Sequence, residues 1–216
     1  MLKLTTSPAA AIAATRRAVG LPQDVRLRNG VPAQIRAVRP NDANCFGSFV
    51  ARLPAASREQ RFGRGFRVLT TAMLVDLLNV DGIGRAAFVA TLRWGHEEQV
   101  IGEARYDVDE NRESATLTLF VADIWQGQGL GELMLEHLLE AARDGGVRRL
   151  VGSVAPSNRP MLRLMQRMGF VARAQGADRL LRMERAVAEQ LPQPRALRPR
   201  DVLRRLLNNQ LFQFSI

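Results

Sequence analysis

The 216-residue chain reads as a three-layer α/β (α+β) domain, a mixed central sheet with helices on both faces. Three observations carry that reading. Short runs of apolar residues at period two are interleaved with runs at helical period. Two strand-like runs separated only by a turn around Gly95 form an antiparallel hairpin, and a later strand–helix–strand order supplies a βαβ crossover. Hydrophobic residues make up 46% and charged residues 24%, which suits a soluble domain with a sizeable core.

The elements follow in order. Residues 33–38 alternate and run into Arg39-Pro40-Asn41-Asp42, a strand ending where Asn41 or Asp42 caps a helix carrying Phe46, Phe49, Val50 and Leu53. A second helical stretch starts near Ser57. A third starts near Thr70 or Thr71 and carries Met73, Leu74, Leu77 and Leu78. Residues 86–92 and 99–106 are the hairpin strands. Residues 114–121 are the richest in β-formers, with Thr116, Thr118 and Phe120 on one face and Ala115, Leu117, Leu119 and Val121 on the other. The period turns helical over 131–143 through Leu135, Leu138, Leu139 and Ala142, and Gly145-Gly146 ends that helix. A strand at 149–154, a helix over 158–168 and closing strands at Val171 and 180–183 complete the domain.

Composition and charge divide the chain into residues 1–30, 31–187 and 188–216. The first is an N-terminal extension whose helix runs from Ser7 as N-cap to Gly20. The last is a linker broken by Pro192, Pro194 and Pro199, then an amphipathic helix carrying Val202, Leu203, Leu206, Leu207 and Leu211. That helix packs on its own domain, makes a homodimer contact or meets an acidic partner. Net charge is +10, of which +7 lies in the two flanks, and Lys3 is the single lysine. The middle segment is therefore near neutral, and no nucleic-acid-binding motif accompanies the basic flanks. No apolar run approaches the roughly 20 residues of a membrane span. One cysteine, Cys45, fits a reducing, cytoplasmic setting. His96, His137 and Cys45 lie too far apart to suggest a metal site.

The chemistry concentrates in Trp125-Gln126-Gly127-Gln128-Gly129-Leu130-Gly131, between the strongest strand and the strongest helix. Glycines there bring backbone N–H groups to the positive end of a helix, which describes a phosphate cradle. The spacing is neither that of a dinucleotide fingerprint nor that of a P-loop, since G-x-G-x-x-G and a following Lys-Ser or Lys-Thr are both missing.

This loop resembles the acyl-CoA loop of the GNAT superfamily of N-acetyltransferases, Gln/Arg-x-x-Gly-x-Gly/Ala, at Gln126, Gly129 and Gly131. The block Asn158, Met161, Leu164, Gly169, Phe170 is also similar to the family. So are Ile35-Arg36 to Asp42, Arg58 to Phe62, Gly102 to Tyr106 and Val121 to Gly127, which look like its protein lysine acetyltransferase branch. The resemblance spans residues 31–187. It implies a sheet splayed after its fourth strand (residues 114–121) and acetyl-CoA as acyl donor. The N–H groups of Gln126, Gly127, Gln128, Gly129, Leu130 and Gly131 would hold the pyrophosphate. The backbone of Leu119 and Val121 would pair with the pantetheine arm, an N–H near Val121 would face the oxyanion, and Asn158 would lie near the thioester. Asn158 also reads as a plain N-cap.

The activity implied is N-acetyl transfer to a primary amine, best a protein lysine, by direct attack in a ternary complex. The branch's general base is a glutamate nine residues before the tryptophan; here that position is Thr116. A hydroxyl is a weak base but can hold a water. Glu103 is the first substitute, or a partner for an arginine; Glu113 and Asp123 are weaker ones. The superfamily's usual acid, a tyrosine seven residues after the asparagine, is Met165, and the single tyrosine is Tyr106. Thr116 leaves a second reading open, an acyl-CoA-binding regulatory module with little or no transferase activity. Charge is uneven within the domain: residues 101–142 sum to −7 and residues 143–187 to +7. Such a split suits a cationic acceptor on one side and CoA phosphates on the other.

Overall fold

The computed structural model of the protein describes residues 21–187 except 64, 96, 111–112 and 174–179. Its centre is an eight-stranded sheet in the order β1-β2-β3-β4-β5-β6-β8-β7. The strands are β1 (Gln23–Arg26), β2 (Pro32–Ala37), β3 (Arg85–Trp94), β4 (Glu97–Val108), β5 (Ser114–Val121), β6 (Arg149–Val154), β7 (Val171–Arg173) and β8 (Leu181–Ala186). The helices are α1 (Ala43–Arg52), α2 (Ala55–Phe62), α3 (Thr71–Leu78), α4 (Leu130–Asp144) and α5 (Arg159–Arg167). Every neighbouring pair is antiparallel except β5 with β6, the crossover that α4 makes. This is the mixed three-layer arrangement that the interleaved periods predict.

Side-chain alternation sends the sheet's two faces into separate cores. Ile35, Phe88, Ala104, Tyr106, Leu117, Leu119 and Leu150 pack under α4 and α5 against Met134, Leu135, Leu138 and Met165. Ala87, Val89, Val100 and Phe120 pack on the other face against Phe46, Phe49 and Val50 of α1 and Leu77 of α3. Thr70 caps α3, its hydroxyl accepting from Met73 N at 3.3 Å.

Two expectations are corrected. Residues 23–26, placed within the N-terminal extension and outside the domain, are a strand of its sheet, paired with β2 from Gln23 opposite Ile35 to Arg26 opposite Pro32. The sheet thus begins before residue 31; four residues with a polar face are too short to stand out as a period. The helix expected at 7–20, the C-terminal helix and its contacts lie outside the described residues. Second, Asp42 does not cap α1 with its side chain. Its carboxylate accepts Arg36 Nη1 and Nη2 at 2.8 and 2.7 Å and Arg39 N at 2.7 Å, because a buried guanidinium six residues back is the stronger partner.

The sheet also parts where the resemblance implies, although β1 makes that strand the fifth. β5 pairs with β6 only through Ser114, Ala115 and Thr116, opposite Arg149, Leu150 and Val151. Beyond that point β6 goes on pairing with β8 as far as Val154 while β5 continues alone beside β4.

Candidate functional site: a parted strand pair and a glycine loop

The unpaired half of β5 is the first part of the site. Asp109 N donates to Ser114 O at 2.9 Å and Ala122 N to Ile101 O at 2.9 Å, so the even-numbered residues of β5 turn their backbone groups to β4. Beyond Thr116, the last paired position, the residues Leu119 and Val121 therefore turn N–H and C=O towards the side from which β6 has diverged. Those groups form a strand edge open to an extended ligand. Leu119 and Val121 were the two positions expected to make such contacts. Gln126 Nε2 already donates to the Val121 carbonyl at 3.1 Å and folds the loop back on the strand end.

The glycine loop is the second part. Gly127 and Gly129 have φ of +74° and +84°, a region L side chains rarely adopt. Gly129 is the N-cap of α4 and no side chain caps that helix. The first intrahelical donors, Glu132 N and Leu133 N, both reach Gly129 O. The N–H groups of Leu130 and Gly131 precede them at the positive end of a 15-residue helix, an arrangement suited to an anion. Gly131 is helical and serves a different purpose. A Cβ there would lie 3.1 Å from Leu164 Cδ2, so the glycine lets α5 press against the first turn of α4.

The loop is anchored by a segment that sequence reasoning assigned to an extension. Arg28 N donates to Gln128 O and Asn29 N to Gln128 Oε1, each at 3.1 Å. Arg28 and Asn29 lie in the β1–β2 turn, closed by Leu27 N to Val31 O at 2.9 Å. Asn29-Gly30 is a hairpin dipeptide, and it was the signal available to find this turn.

The candidate catalytic residues do not converge. Thr116 is exposed, at the last position where β5 pairs with β6, and Asp107 of β4 stands opposite it. Glu103 shares that face but lies opposite Phe120, four residues along β5, roughly 13 Å at strand rise. It is 1% exposed, with Oε2 accepting Arg61 Nη2 at 3.0 Å and Oε1 accepting Arg105 Nε at 2.6 Å. Both oxygens are committed to guanidinium groups, which is the arginine-partner alternative for this residue. Asn158 N-caps α5, its Oδ1 accepting Met161 N at 3.1 Å. Asp123 accepts from Ser57 Oγ at 3.0 Å and ties the loop's approach to α2. Glu113 is exposed at the β4–β5 turn. Tyr106 is wholly buried on the α4 side, its hydroxyl 3.1 Å from Ile83 O and 3.3 Å from Ala141 O, and burial pushes its pKa up to about 12. That leaves it a packing residue with a satisfied hydroxyl. Met165 is buried in the same core.

Similarity to known proteins converges on one family. A family model described as Acetyltransferase (GNAT) family matches residues 59–170. Acetyltransferase PA5475 of Pseudomonas aeruginosa is 30% identical over 152 residues, 70% of this chain and 82% of that protein. Acetyltransferase Pat of Mycolicibacterium smegmatis is 29% identical over 151 residues, 69% of this chain but 44% of that longer protein. Among solved structures, the GNAT domain of S. lividans PAT superposes with a TM-score of 0.70 at 26% identity, over 76% of this chain and 96% of that one.

Proposed function

The chain belongs to the GNAT acetyltransferase family, and from that membership we propose that it acetylates the side-chain amine of a protein lysine by direct attack in a ternary complex. Acetyl-CoA-dependent N-acetyl transfer comes with the family; the acceptor and the mechanism are the proposed part. The observation that carries the reading is the union of an open β5 edge at Leu119 and Val121 with the side-chain-uncapped start of α4 at Gly129. An extended amide-bearing arm matches the first, and a pyrophosphate matches the second. The sequence blocks resembling the protein lysine acetyltransferase branch favour lysine as acceptor, and so does the acidic stretch 101–142. A cytoplasmic setting belongs to the same proposal.

Bound acetyl-CoA supplies the activated acyl group. The residues of this chain then have separate tasks. Backbone groups of Leu119 and Val121 align the arm by strand addition, and the N–H groups from Gly127 to Gly131 hold its phosphates; the Gln126 N–H, expected to join them, instead donates to Asp123 O at 3.2 Å. A backbone N–H at Val121 donates to the developing oxyanion. Thr116 stands where the strands part, about 16 Å along β5 from Val121, so its exposed hydroxyl orders water in a chain that carries the ammonium proton away to solvent. Glu103, enclosed by Arg61 and Arg105, secures α2 against the sheet rather than taking that proton. Asn158 sets the first turn of α5 beside the slot.

Two measurements test this. Calorimetry with acetyl-CoA reports binding, and CoA-thiol release over a panel of lysine peptides and small amines reports transfer. Binding with release on peptides is expected. Binding without release on any acceptor would leave the regulatory-module reading that Thr116 favours. Thr116→Glu restores a carboxylate where the branch carries one and is expected to raise kcat about 10²-fold, as an added general base does. An unchanged rate in that variant would remove position 116 from the proton path.

A further inference from the structure

We propose that Arg28, in the β1–β2 turn, is a ligand of the acetyl-CoA pyrophosphate, completing the glycine loop with a cation that the loop itself does not contain. The inference rests on acetyl-CoA as the acyl donor. It lies outside the segment that carries the family match, which begins at residue 59.

Three observations place the guanidinium. The turn is bonded to the loop through backbone, Arg28 N to Gln128 O and Asn29 N to the Gln128 side chain. The Arg28 side chain then runs across Gly129: a Cβ on that glycine would lie 3.3 Å from Nε, 3.6 Å from Cγ and 3.8 Å from Cδ. The residue whose carbonyl starts α4 is thus the one the arginine covers. Finally, the guanidinium is not consumed by the fold. Its side chain is 66% exposed, and among the described residues its ionic partner is Glu132, whose Oε2 is 3.7 Å from Nη2, beyond hydrogen-bond reach. Arg167 Nη2 of α5 lies 3.8 Å from the same oxygen. Two arginines thus flank one carboxylate at the first turn of α4, and the excess is positive where an anion would sit. Glu132 keeps Arg28 near the loop before ligand arrives. A planar guanidinium with several N–H donors matches two phosphate oxygens at once.

The arrangement also gives part of the basic N-terminal segment a task. Backbone anchoring means that Arg28→Ala keeps the turn docked while removing the fork.

The test compares acetyl-CoA, acetyl-dephospho-CoA and S-acetyl-pantetheine by calorimetry on wild type, Arg28→Ala, Arg28→Lys and, as an exposed control past the far end of α4, Arg148→Ala. Arg28→Ala is expected to weaken acetyl-CoA and acetyl-dephospho-CoA alike by about tenfold, as loss of a charge-assisted bond implies. It should leave S-acetyl-pantetheine, which lacks the pyrophosphate, unchanged. Arg28→Lys should recover part of the loss and Arg148→Ala should lose nothing. An unchanged acetyl-CoA affinity in Arg28→Ala overturns the proposal. So does an equal loss with S-acetyl-pantetheine, which would mean the turn was merely disordered. A loss confined to acetyl-CoA overturns the pyrophosphate assignment in favour of the 3′-phosphate. Wild-type protein that binds none of the three would overturn the acyl-donor reading along with it, whereas binding without transfer to any amine would fault only the proposed acceptor.

Discussion

The two faces of the sheet are built from different chemistry. Under α4 and α5 the face is mostly hydrocarbon, and the Tyr106 hydroxyl and His137 Nδ1, buried within it, meet backbone carbonyls. Under α1–α3 the face carries buried charge. Arg36 and Asp42 are 1% and 4% exposed, and Glu103 and Arg105 are 1% and 5% exposed. β4 presents Glu103, Arg105 and Asp107 in a row on this side, and Arg85 of β3 donates to Asp107 Oδ1 at 2.6 Å. Helix α2 shows the consequence. It has no buried residue, and it is fastened by Arg61 to Glu103 and by Ser57 to Asp123 as well as by partial packing of Phe62. One face therefore gains its stability from area removed from water, which tolerates small changes in shape. The other depends on complete sets of partners, because a buried ion is costly once its counter-ion is gone.

Breaking the charged face should produce the largest effects. Glu103→Ala leaves Arg105 buried without its carboxylate and is expected to cost about 3–5 kcal/mol; Asp42→Ala leaves Arg36 with Glu98 as its remaining carboxylate and should cost less, about 2–3 kcal/mol. The urea midpoint measures this, and a loss below about 1 kcal/mol would mean that these pairs do not hold the face together. Under conditions where the variant is folded, Glu103→Ala should keep its kcat, since the proton path proposed above bypasses it. On the apolar face, Leu138→Ala removes a wholly buried side chain and is expected to cost about 3 kcal/mol by the same measurement. Smaller again, Tyr106→Phe should cost about 1 kcal/mol and leave the transfer rate and its pH profile alone. A collapse of kcat in that variant would contradict its packing role.

Acid separates the faces without mutation. Burial pushes the Asp42 carboxyl up, but the Arg36 hydrogen bonds and the Arg39 N–H outweigh it and hold it below the usual carboxylate range. Hydrogen bonding to Arg36 likewise depresses Glu98 against its burial. A group depressed in the folded state stabilises it above the unfolded pKa, about 4, and that contribution is lost as pH falls through the folded value. Stability of wild type should thus decline below about pH 4. Asp42→Ala should flatten that decline, and Leu138→Ala should leave its slope unchanged.

Much of this molecule is legible in residues close together in sequence. The alternation of residues 114–121 predicts β5 to the residue, 149–154 predicts β6, and the glycines at 127, 129 and 131 mark the loop and the start of α4. Asn158 reads as an N-cap and is one. These features rest on backbone preferences that act within a turn or two. What the glycines do is less legible: Gly129 needs its φ, whereas Gly131 needs the room that Leu164 takes, and the two look alike in a motif.

Sequence alone determined the layers, the order of elements after β1 and the place of the loop, because hydrophobic period and glycine conformation are local properties. Tertiary structure decided which carboxylate is available. Glu103, the first substitute for the missing base, is closed off by Arg61, 42 residues away, and by Arg105 beside it on the same face. It also decided that the turn at Arg28 and Asn29 belongs to the loop, through a hydrogen bond spanning 99 residues. Contacts of that range follow from how strands are ordered in the sheet, and no local pattern of charge or hydropathy records which arginine will arrive at which acid.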